Sequence, residues 1–81
     1  MTEEFLKSED ERQRDNLVKI KVFFERKIPV HLLKKDREWM NGYIKEVGND
    51  FFLIDELKFG ERIVFLIELF SIEELVKEDL K

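Results

Sequence analysis

The chain has 81 residues, 42% charged and 43% hydrophobic, with three Gly, one Pro, no Cys and a formal net charge of −4. A domain this short buries only about 60% of the surface its unfolded form exposes, so its core needs outside help. Without Cys that help cannot be a disulfide, and thiolate chemistry and Cys-based zinc sites are excluded while a reducing compartment is favoured.

The first residues, MTEEFLKSEDERQRD, are acidic and polar where a secretory signal is basic and then apolar. No apolar run approaches the roughly 18 residues of a membrane span. A cytoplasmic protein with no membrane association is expected. Net negative charge argues against non-specific coating of nucleic acid, whose affinity comes from Lys and Arg displacing counterions. The charge is unevenly spread: residues 1–26 sum to −1, residues 27–47 to +2 and residues 48–81 to −5.

Ser8 followed by Glu11 is a capping-box pattern that opens a helix from Glu9 to about Arg26, a stretch free of Gly and Pro. Leu17, Ile20, Phe24 and Ile28 define its apolar stripe, widened by Val18, Val22 and Phe23. The first half, EDERQRDN, has no apolar face, so residues 1–16 are expected to be an exposed, partly frayed start. Pro29 cannot sit in a helix interior and pushes Ile28 towards extended backbone, which marks the passage to a strand over Val30 to Lys34.

After the polar turn KKDRE, Trp39 to Val47 alternates Met40, Gly42 and Ile44 on one face with Trp39, Asn41 and Tyr43 on the other. Gly48-Asn49 reads as a two-residue hairpin turn in which Gly accepts a positive φ. FFLID and RIVFLIEL follow, apolar on both faces, which predicts oligomerisation or cover by the helix. FSIEELVKEDL fits a short strand around Phe70 to Glu73 or a helix capped by Ser71 and Glu74, the strand being preferred. The predicted fold is one domain, mainly β: an N-terminal helix and a five-stranded, strongly bent antiparallel barrel, ending in a tail over 76–81.

The segment FFERKIPVHLLKKDREWMNGYIKEVGNDFFLI, with Ile28-Pro29-Val30 after a basic helix end, Gly42 in the second strand and Ile44 two residues on, resembles the Sm and Lsm family and its bacterial member Hfq. The likeness covers roughly residues 17 to 75. It implies an SH3-like barrel, and a homo-oligomeric ring of about six or seven subunits formed when the fourth strand of one subunit pairs with the fifth of the next. It also implies non-catalytic binding of uridine-rich or adenine-rich single-stranded RNA, with bases stacked around a pore. The interface would draw on Ile63, Val64, Phe65, Leu66, Ile67, Phe70 and Ile72. Gly48 and Phe52 stand where Sm proteins carry the Asp and Asn that hold a uridine. Phe65, Leu66 and Ile67 stand where Hfq carries Tyr-Lys-His, so an aromatic remains without the Lys and His.

Trp39 and Tyr43 beside Lys34, Lys35 and Arg37, with Phe65, form the candidate RNA-binding set: aromatic rings for stacking near cations for phosphate. The same rings could instead pack under the helix or at an interface, in a protein-interaction or assembly module that binds no nucleic acid. His31, the only His, lacks the companions a metal site or nucleophile needs and is read as structural. Asp50, Asp55, Glu56 and Glu61 are read as a solvated rim, and Glu68 as reaching the barrel edge or pairing with a cation across an interface. No catalytic residue, metal or cofactor is expected.

Overall fold

The computed structural model describes residues 8–76. Helix α1, Glu9–Arg26, starts as the sequence predicts: the Glu11 backbone N–H donates to the Ser8 hydroxyl at 3.2 Å, and three acidic residues complement the positive end of the helix dipole. It ends at Lys27, which adopts left-handed backbone (φ 56°) so that its N–H reaches the carbonyls of Phe23 and Phe24. Five strands follow: β1, Val30–Lys34; β2, Trp39–Val47; β3, Phe51–Glu56; β4, Gly60–Phe65; and β5, Leu69–Glu74. The last of these is the strand alternative for FSIEELVKEDL; residues 1–7 and 77–81, with most of the expected tail, lie outside the described residues.

All neighbouring strands are antiparallel, in the order β4-β3-β2-β1-β5, so the molecule is mainly β with one N-terminal helix, an arrangement consistent with an Sm-like fold. The sheet cannot be flat. Four interstrand spacings would hold β4 and β5 about 19 Å apart, yet only the single 3-10 turn Leu66–Glu68 joins them, and four Cα–Cα steps reach at most about 14 Å. The sheet therefore bends until its edges approach. Lys35 N–H donates to the Glu68 carbonyl at 2.7 Å, tying that turn to the end of β1.

Gly42 makes part of the bend possible. A Cβ there would lie 2.1 Å from the Asp55 carbonyl oxygen of β3, so the two backbones approach more closely than any side chain allows. Gly48 differs from expectation: the Gly48 N–H donates to the Phe51 carbonyl, so the tip of the turn is Asn49-Asp50, one residue further on. Gly48 does not adopt positive φ. Its missing Cβ makes room for the Phe51 ring, 2.3 Å from where that atom would be.

The concave face holds the core: Val30, Leu32, Met40, Ile44, Phe52, Ile54, Val64, Leu69 and Ile72, with Ile20 from α1 placed across them. Each such side chain contributes about 1.5–3 kcal/mol relative to exposure. The helix keeps Ile20 and Phe23 of the expected stripe against the core but turns much of its remaining apolar width outward. Phe24, Val22 and Val18 are exposed, and Asn16 is buried with its amide donating to the Phe70 carbonyl at 3.2 Å. The polar first half of α1 therefore packs on β5 through Asn16 and through Arg12, whose guanidinium lies 4.6 Å from the Phe70 ring centre.

Candidate nucleic-acid interface

The convex face of the sheet carries the side chains that alternate away from the core. On β2 these are Trp39, Asn41 and Tyr43, and both rings are exposed, Trp39 at 53% and Tyr43 at 44%. That exposure fits a stacking platform or an interface, the readings open in the sequence, and not rings buried under the helix. Trp39 stacks on His31 of β1, centroids 4.2 Å apart and planes 12° from parallel. His31 lies directly across the ladder from Asn41, and its Nδ1 is hydrogen-bonded to the Asn41 Oδ1.

Beside Trp39, whose ladder partner is Leu33, a cleft of about 450 Å³ opens. Leu33 and Phe70 supply its apolar wall; Arg12, Lys34, Lys35 and Arg37 supply cations, and Glu9 one carboxylate. Three of the sequence-predicted cations thus meet at one place. The β1–β2 turn brings them there, with Arg37 in left-handed backbone (φ 72°) and its N–H donating to the Lys34 carbonyl. Arg12 and Phe70 join the cleft from opposite ends of the chain. Nothing local in the sequence marks them, because Phe70 reaches the cleft through the pairing of β5 with β1 and Arg12 through the packing of α1 on β5.

The cations differ in how free they are. Lys34 is largely buried and contacts Glu38 at 3.2 Å, Glu68 at 3.3 Å and Asp36 at 3.7 Å. Burial opposes its charge, but hydrogen bonds to Glu38 and Glu68 outweigh burial and raise its pKa. Glu68 therefore finds its cation within the chain. Lys35 is ion-paired with Glu9, whose pKa is lowered chiefly by that hydrogen bond. Arg37 has no ion pair among the described residues.

Glu38 also accepts from Arg62 of β4 at 2.8 Å, and Arg62 reaches the buried Glu56 at 3.3 Å. The chain of charges Glu56–Arg62–Glu38–Lys34–Glu68 runs from β3 and β4 through the β1–β2 turn to the turn before β5. The hydrogen bond from Arg62, then that from Lys34, lowers the Glu38 pKa, and Glu38 in turn raises that of Arg62. The acidic rim read in the sequence is thus divided: Glu56 belongs to this network, and Glu61 pairs with Lys45 at 2.8 Å. Among the described residues no group of His, Asp and Glu is arranged to hold a metal ion.

Phe65 does not join the aromatic platform. It sits opposite Phe51 on β4, two strands from β2 and near the end of the sheet remote from Trp39. Phe65, Ile63 and Ile67 are exposed, and Phe70 is partly so. Val64 and Ile72, also expected at an interface, are fully buried in the chain's own core, and Leu66 packs against that core. At those three positions the backbone, not the side chain, is what an edge can offer. No helix among the described residues is long and apolar enough to cross a membrane. Compared with protein-family models and with curated proteins, the chain matches none.

Proposed function

We propose that this chain is a non-catalytic, Sm-like subunit that assembles with copies of itself through the β4 and β5 edges and binds single-stranded RNA on its convex face. One observation carries the reading: the outer edges of β4 and β5 pair with no further strand among the described residues, and exposed Ile63 and Phe65 flank the β4 edge, with Ile67 in the turn that follows. Free edges with apolar flanks invite another strand, and antiparallel addition of a second copy satisfies their backbone groups. A ring is the closed form of such head-to-tail pairing. The RNA part is supported by Trp39 and Tyr43, exposed on one face of β2, and by the cleft that gathers Arg12, Lys35 and Arg37 around Leu33, the ladder partner of Trp39.

A second reading, a protein-assembly module without nucleic acid, is favoured by the pairing of Lys34 and Lys35 with carboxylates and by Glu73, Asp55 and Glu61 on strands flanking the platform. Two measurements decide. Light scattering at micromolar concentration is expected to give a multiple of 9.9 kDa; a monomer mass would refute the edge pairing. Anisotropy with labelled U-rich and A-rich RNA is expected to show binding that weakens as salt rises. Absence of binding at low salt by an intact oligomer would leave the second reading.

A further inference from the structure

We infer that His31 is a ligand-contacting residue of the convex face and that its protonation couples RNA binding to pH, an inference that rests on the RNA reading above. The amide oxygen of Asn41 can only accept, so the imidazole hydrogen sits on Nδ1 and the neutral ring presents Nε2 as an acceptor. Among the described residues no buried side-chain nitrogen or oxygen lacks a hydrogen-bond partner. Nε2 has no partner among the described residues, so it meets solvent, on the same face as the exposed ring of Trp39.

A proton taken up at Nε2 changes what this face offers. Both ring nitrogens then donate, and the cation lies flat against an indole, whose π-face stabilises it. The Nε2–H becomes a charge-assisted donor for a phosphodiester oxygen of a nucleotide stacked on Trp39, and phosphodiesters stay anionic throughout the range where histidine titrates. The charged and titratable neighbours are few. Glu73 of β5 stands across the ladder from His31 and is held by Lys19 of α1 at 2.6 Å; Tyr43 and Lys45 lie further along β2, and Lys45 is paired with Glu61.

The only His stacked on the only Trp supplies its own reporter, because an imidazolium in contact with indole quenches its emission. The test uses the full chain and fluorescently labelled single-stranded U-rich and A-rich RNA at about pH 7.5 and about pH 5.5 and constant salt, the span over which histidine changes charge. Wild type, His31→Gln and His31→Phe are compared, with Trp39 emission and oligomer mass read in each sample; the Phe variant retains a ring to stack and the Gln variant a hydrogen-bonding side chain. Wild-type affinity should rise about tenfold on acidification, the size of one charge-assisted hydrogen bond, in step with quenching of Trp39. Both variants should show no such rise. A wild-type affinity that stays flat while the emission titrates, or an acid rise that persists in both variants, overturns the role of His31 and leaves the RNA reading standing. No RNA binding at either pH by a folded oligomer removes the RNA reading and this inference with it.

Discussion

At the scale of single residues, the β1–β2 turn places an arginine where glycine would be at ease. Left-handed backbone costs a non-Gly residue on the order of 1 kcal/mol, and Arg37 adopts it beside the candidate RNA cleft. Replacing Arg37 by Gly relieves that cost while freeing the unfolded chain, so thermal unfolding should occur at or up to a few degrees above the wild-type midpoint. RNA affinity at low salt should fall in the same variant, and the salt slope should become shallower by about one unit. A lower midpoint would mean that the guanidinium itself holds the turn; unchanged affinity and slope would remove Arg37 from the site.

The residue scale is also where the sequence was least readable. His31 looked isolated because its partners, Trp39 and Asn41, stand eight and ten positions later and meet it only through the β1–β2 register. Asn16 looked like part of a solvated helix start, and nothing nearby signals the Phe70 carbonyl that accepts from it.

Among elements, periodicity and punctuation sufficed for the first three, whereas RIVFLIEL, read as a strand, is strand only to Phe65 and then turns through Leu66–Glu68 into β5. Pro29, the alternation of β2 and the capping Ser8 set α1, β1 and β2 at the bounds they have in the structure, because each is a local constraint. The β2–β3 turn moved by one residue because Gly48 answers to the Phe51 ring and not to a backbone angle. The two glycines should consequently respond differently to a methyl group. In Gly42→Ala the new Cβ meets the backbone of β3, which cannot yield without breaking the ladder, and urea unfolding should show a loss of about 3 kcal/mol or no folded protein. In Gly48→Ala it meets a half-buried phenylalanine ring that can turn aside, and the loss should stay near 1 kcal/mol. Equal losses would mean that the approach of β2 to β3 is not what fixes the bend.

For the whole molecule, the charge network that joins β3 and β4 to the β1–β2 turn bears on acid behaviour. A carboxylate whose folded pKa is lowered, as Glu38's is, takes up its proton less readily in the folded than in the unfolded chain. The stability it contributes is present in full above the ordinary value of 4.5 and is lost as pH falls through the lowered one. Removing Arg62 should expose this. Arg62→Met leaves Glu56, 7% exposed, without its cation, and should cost about 2 kcal/mol at neutral pH by urea unfolding. It should also flatten the decline in stability below pH 4.5, because Glu38 loses the contact that chiefly lowers its pKa. An unchanged decline would place the acid-sensitive group elsewhere. The overall architecture was legible from the order of elements, whereas this network was not: its members are spread from position 34 to position 68, and only the curvature of the sheet gathers them.

The three-residue link between β4 and β5 has a mechanical side. The two outer strands are the two ends of one bent strip, held at a fixed short distance by Leu66–Glu68 and by the Lys35–Glu68 backbone bond. A displacement of one outer strand is therefore carried to the other through a link only three residues long, with no slack loop between them to absorb it.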